Sequence, residues 1–181
     1  MTDLLWPIPG GRSVFPAYRA EQAHINDGEG PAWDLCNAEG TPILAPMECE
    51  VVAGTGSDPH RPGGFHAGNV VVLMGNDVRV HLCHQQALEV AIGQHYNKGD
   101  VIGHVGHTGT VYDTAGNLGT VAAAHLHLWT EWWQNTRWIR VWPSALEWTD
   151  TAPAEEAPMA RTTDQQALID QARDVASRLS G

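Results

Sequence analysis

From Asp34 onward, short apolar runs recur between turn signals: ILAPMECEVVAG, GNVVVLMG, VRVHLCH, ALEVAIG, VIGHVGHTG, AAAHLHLWTEWW and RWIRVW. Runs this short, rich in β-branched and aromatic residues, predict strands rather than helices. The Gly-rich stretches SDPHRPGGFHAGN and TGTVYDTAGNLGTV are too irregular for helix and predict loops over one end of a sheet. TEWW and RWIRVW flank Gln134-Asn135-Thr136, short enough to close a hairpin, and Pro143 then ends the last strand. Residues 1–33, punctuated by Pro and Gly, read as extended loop rather than helix. The expectation is an all-β class: one compact antiparallel domain over residues 1–150, its globular part stopping near Trp148.

The pattern changes after that point. Residues 151–162 form an Ala/Pro/Glu linker that cannot bury enough surface to fold. Over 163–181, Leu168, Ala172, Val175 and Leu179 make one apolar stripe, with Thr163 or Asp164 as cap, which predicts a helix. Docking on its own domain and self-association both remain open for it.

Composition narrows the partners. A chain of 181 residues holds one good-sized core. Its formal charge of −11, with no cluster of basic residues to reverse it locally, excludes nucleic acid. Asp3 and Pro7, Pro9 and Pro16 interrupt the first twenty residues, so neither a signal peptide nor a membrane-spanning helix is expected. Cys36, Cys49 and Cys83 lack C-x-x-C spacing and are expected as small buried apolar fillers. Ten histidines and eight tryptophans stand against a single lysine, Lys98, and the histidine excess raises the question of a metal.

His125-Leu126-His127 carries the sharpest chemistry. Alternate residues of a strand share a face, so two imidazoles stand side by side, one able to bind metal and the other to handle protons. Paired structural histidines on an exposed strand would produce the same string. By the same alternation His81, three residues from His84, is expected on the opposite side of its strand. His104 and His107 are expected as structural or rim residues. Trp129, Trp132, Trp133, Trp138, Trp142 and Trp148 crowd the final hairpin, where core packing is expected for at least half and the others can wall a groove for an extended peptide or sugar.

The context of the histidines adds a resemblance. WPIPG, DLCNAEGTPILA from Asp34, His84 closing VRVHLCH, then VAIGQHYNKGDVIGHVGHTG and AHLHL, resemble in order the motifs of the lysostaphin-type, or LytM-like, zinc endopeptidases. The likeness covers residues 6–148. It implies a single-sheet fold of that type, one zinc ion per chain, Asp34 and His127 as ligands, and His84 and His125 as catalytic histidines. It further implies a substrate in the stem or cross-bridge peptides of peptidoglycan, walled by loops around 55–68 and 108–122. The sequence departs at one place: the family's remaining ligand histidine, four residues before the aspartate, is Gly30 here. His24, ten residues before Asp34 across INDGEGPAW, can return an imidazole to the metal. Otherwise His60 or His66 supplies it, or the site is degenerate.

Rival readings are a degenerate family member acting as a structural or activator protein, and a D-Ala-D-Ala carboxypeptidase. The latter would use a glutamate near the last histidine, a place that Glu131, four residues after His127 on the same strand face, fills. The missing leader and acidic surface are compatible with a bacteriophage lysin, released to the cell wall or carried on a particle.

Overall fold

The computed structural model describes residues 3–9, 24, 30–56, 67–113 and 115–149. In order the strands are β1 (Asp3–Leu5), β2 (Trp33–Leu35), β3 (Pro42–Leu44), β4 (Cys49–Thr55), β5 (Asn69–Gly75), β6 (Val78–Gln85), β7 (His95–Tyr96), β8 (Val101–His104), β9 (Leu126–Gln134), β10 (Arg137–Val141) and β11 (Glu147–Thr149). The main sheet has seven strands in the order β10-β9-β6-β5-β4-β7, with β2 added to β9. All its pairings are antiparallel. Two small sheets flank it: β3 with β8, antiparallel, and β1 with β11, parallel. The expected all-β antiparallel domain is therefore present. The linker over 151–162, the helix over 163–181, and His60 and His66 lie outside the described residues, as does most of the 55–68 loop.

Two tight hairpins set the register of the central strands. Asn76 and Asp77 link β5 to β6 with φ of 49° and 62°, and Asn135 and Thr136 link β9 to β10 with 48° and 66°. Left-handed conformation at both loop residues gives a turn whose twist matches the flanking strands. The second hairpin is thus where the sequence places it, except that Gln134 pairs with Arg137 as the last residue of β9. Pro143 does follow the end of β10, but the chain makes one further strand, β11, that ties back to β1.

Strand alternation gives the main sheet two different faces. Val71, Leu73, Val80, Leu82, Leu126 and Leu128 point to one side and join Leu35, Ile43 and Ile102 in the buried core. Trp33 is buried there too, stacked 5.0 Å from Trp6 and tilted against Trp148 at 5.6 Å. The other face carries a smaller cluster, Val70, Val72 and Cys83, and the polar side chains considered below.

Three expectations need correction here. Cys49 and Cys83 are buried, but Cys36 is exposed, because it follows β2 on the side away from the Leu35 core face. Of the six hairpin tryptophans only Trp148 and Trp129 pack on apolar clusters, whereas Trp132, Trp133 and Trp142 are exposed. The β9–β10 hairpin ends at an edge, leaving nothing beyond β10 among the described strands to cover them. Finally, His24 has helical backbone where extended loop is predicted; the stretch 17–27 carries neither Gly nor Pro.

Candidate metal centre

The site is built on β9 and two of the strands paired with it, β2 and β6. In the β2–β9 pairing, Trp33 faces Leu128 and Leu35 faces Leu126, both toward the core, which turns Asp34 and its partner His127 to the opposite face. Burying the leucines therefore fixes the chemical pair, since a one-residue slip would put the carboxylate into the core. His127 Nδ1 lies 2.9 Å from Asp34 Oδ1. His24 Nε2 lies 3.3 Å from Asp34 Oδ2, and its ring meets His127 edge to face at 4.7 Å. His125 Nε2 is 3.5 Å from Asp34 Oδ1.

His84 reaches the same place by a break in alternation. Asn69 pairs with Gln85 and Val71 with Leu82, so Val70 stands opposite both Cys83 and His84, a β-bulge. His84 has φ of 60°, and its ring lies 4.9 Å from His125 and 5.7 Å from His127. A bulge re-aims a side chain that plain alternation would send to the other face. This corrects the expectation for His81: it pairs with Trp129 just as Cys83 pairs with His127, so His81 shares the site face with His84 and does not oppose it.

A hydrogen-bonded scaffold that sequence reasoning missed holds the bulge. His84 Nδ1 donates to the Thr108 carbonyl at 2.7 Å, since a carbonyl only accepts. Thr108 Oγ1 donates to Gln85 O at 2.9 Å and accepts from Asn69 N at 2.9 Å. A Cβ at Gly68, whose φ is 64°, would collide with Thr108, and one at Gly106 with the backbone of Gln86. The glycine-rich motif is thus explained by close approach of 103–109 to the end of β6, and Thr108 sits within it. His125 Nδ1 likewise donates to Ala123 O at 2.8 Å. Both bonds place the ring proton on Nδ1 and the lone pair of His84 and His125 on Nε2.

Electrostatics favour the neutral ring at His84 and His127. Burial, with help from the neighbouring His125 and His127, pushes His84 down to about 3. Burial also lowers His127, against the pull of Asp34. Burial alone would raise Asp34, but hydrogen bonds from His127 and His24 and the nearby imidazoles outweigh it and hold the carboxyl well below its ordinary value. Neutral imidazole and ionised carboxylate are the states in which these groups bind metal.

Two sets of donors share His127, and within each set the ligand atoms lie within 4.8 Å of one another: His24, Asp34 and His127, and His84, His125 and His127. Two imidazole nitrogens and a carboxylate oxygen fit a zinc site that keeps one position open. The five residues singled out in the sequence are therefore brought together. Gly30 has φ of 82°, and a Cβ there would lie 3.2 Å from Arg140, whose Nε donates to Pro31 O at 3.1 Å. No sequence signal pointed to Arg140. His104 pairs with Glu89 at 2.8 Å and His107 with Glu39 at 3.1 Å, away from the cluster. Glu131 is held by His81 at 3.0 Å and Arg79 at 3.8 Å. His81 stacks on Trp129, and Trp129 meets His127 edge-on at 5.7 Å, so the Glu131–His81 pair and His127 flank the same indole.

Comparisons with known proteins follow the same line. The sequence model of Peptidase family M23 matches residues 30–139, which includes Asp34, His84, His125 and His127 but leaves His24 outside. No curated protein matches. Among solved structures, a peptidase M23 of Pseudomonas aeruginosa is 25% identical, with a TM-score of 0.46 over 70% of this chain and 44% of its own. A zinc-containing peptidase of Vibrio cholerae is 19% identical, with a TM-score of 0.54 over 77% of this chain and 39% of its own, which supports the fold. The catalytic domain of lysostaphin from Staphylococcus simulans is 24% identical, with a TM-score of 0.45 over 62% of this chain and 77% of its own. The chain thus spans less than half the length of the first two. With the family model covering well over half the sequence and the ordered motifs of the lysostaphin type within it, this chain belongs to peptidase family M23.

Proposed function

We propose that this chain is a zinc-dependent endopeptidase that hydrolyses peptide bonds in peptidoglycan stem or cross-bridge peptides. The observation that carries the reading is the convergence of His24, Asp34 and His127 with His84 and His125 on one sheet face. In this reading His24, Asp34 and His127 hold one zinc ion per chain. When bound there, zinc would supply a Lewis acid that lowers the pKa of water toward about 7 and polarises a carbonyl. His84 and His125, each with its lone pair on Nε2, receive the proton of an attacking water and return one to the leaving amine. Thr108 and Ala123 keep the tautomers in place through that transfer.

Glu131 is committed to His81 and Arg79, which weighs against the carboxypeptidase alternative. Gly30 is the reason to test the degenerate, structural alternative, in which a family ligand is lost and not replaced. Elemental analysis for zinc on wild type and His24→Ala, with a peptidoglycan-clearing assay on the same samples, separates the two. About one zinc per chain and clearing in wild type, both lost in the variant, is expected. A wild type with neither would support the structural reading.

A further inference from the structure

The face that carries the histidine cluster continues along β9 to a second feature. His127, Trp129, Glu131 and Trp133 follow one another by alternation, and Trp138 pairs with Trp133 across the hairpin. Contacts link them without a gap: Trp129 stacks on His81, His81 bonds Glu131, Glu131 meets Arg79, and Arg79 lies 4.1 Å over the Trp138 ring. Trp138 in turn sits 5.2 Å from Trp133 at 60°. At that end a cavity of about 440 Å³ is lined by Met74, Gly75, Asn76, Asp77, Arg79, Trp133 and Trp138.

We infer that this cavity binds a pyranose of an uncharged oligosaccharide, the sugar strand from which the cleaved peptide hangs. Its identity as wall sugar rests on the endopeptidase reading above. A pyranose has an apolar C–H face and a rim of hydroxyls, and the cavity offers both complements. Trp133, 42% exposed, presents an indole face, Trp138 walls the cavity beside it with one face under Arg79, and Asn76, Asp77 and Arg79 present hydrogen-bonding groups. Arg79 and Asp77 put one charge of each sign on the cavity wall, which suits a neutral ligand. The whole chain, at −11, disfavours a polyanion.

Distance supports the pairing of the two features. Six residues of strand separate His127 from Trp133, about 20 Å at roughly 3.3 Å per residue. An extended peptide of five residues spans about 17 Å. Five residues fall about 3 Å short, so a peptide attached to a sugar in the Trp133 cavity reaches the histidine cluster along β9 with about six extended residues, a stem peptide continued into its cross-bridge.

The test uses the full chain and a β-1,4-linked tetramer of N-acetylglucosamine, which has no peptide to cut. Tryptophan fluorescence and calorimetry are expected to show binding that Trp133→Ala weakens at least about tenfold, through loss of a stacked ring. Trp133→Phe should retain most of it, and circular dichroism checks that both variants fold. On intact wall, Trp133→Ala should raise KM, with kcat/KM on a sugar-free peptide unchanged. A tetramer that does not bind, equal binding by wild type and Trp133→Ala, or displacement of the tetramer by the sugar-free peptide would overturn the inference. Because tetramer binding needs no hydrolysis, binding without clearing sinks only the endopeptidase reading. Clearing without binding sinks only this one.

Discussion

At the scale of single residues, the site separates into groups that touch the proposed metal and groups that touch the proposed water. Asp34 and His127 face each other across β2 and β9, and both sit in the set that closes around one point. His84 and His125 are fastened by carbonyls instead. His84→Ala is therefore expected to abolish clearing while zinc content stays at the wild-type level. Asp34→Ala is expected to lose the metal as well. Intact clearing in His84→Ala would remove His84 from the mechanism. The HxH pair was legible in the sequence, because alternation is a local rule. The direction of His84 was not, since it depends on a bulge that only the pairing with β5 reveals.

At the scale of elements, β9 does two jobs at once. One face supplies Leu126 and Leu128 to the core, and the other supplies His127 and Trp129 to the site. Leu126 is fully buried opposite Leu35, one step from the Asp34–His127 pair. Leu126→Ala should cost about 2–5 kcal/mol by leaving a cavity there. It should also weaken zinc retention in a chelator competition, because the registers of core and site are the same register. Unfolding midpoints in denaturant measure the first effect. A stability loss with unchanged zinc retention would show that the two faces are not coupled. The strands and the final hairpin could be anticipated from short β-branched runs between turn residues. The flanking β1–β11 pair could not, since its partners are 144 positions apart, Asp3 against Glu147, and three residues long.

At the scale of the whole molecule, carboxylates among the described residues meet histidines more often than they meet the single lysine. Besides the three rings around Asp34, Glu131 pairs with His81, Glu89 with His104 and Glu39 with His107. His81 shows what this means for acid stability. Burial lowers it, with a smaller push from Arg79 and Arg140, against the hydrogen bond and charge of Glu131. The folded chain thus binds fewer protons than the unfolded one, in which His81 titrates at about 6.5. Its contribution is full above that value and is lost as pH falls through the lowered folded value, so stability rises with pH across the window. His81→Gln should flatten that rise, read as denaturant midpoints compared at about pH 5 and pH 8. An equally steep rise in the variant would assign the acid sensitivity elsewhere.

The sequence by itself determined the β class and the final hairpin, and its resemblance to the lysostaphin type singled out Asp34, His84, His125 and His127 as candidates. Each follows from a periodicity of two, a turn composition or an ordered motif, all local properties of the chain. Tertiary structure alone decided that His24 stands beside Asp34, that His84 and His81 share a face, and that Trp133 and Trp138 line a cavity away from the core. Those outcomes depend on which strands pair and where a register shifts. Pairing brings together residues dozens of positions apart, such as Asp34 and His127, and no local pattern encodes the distance between them.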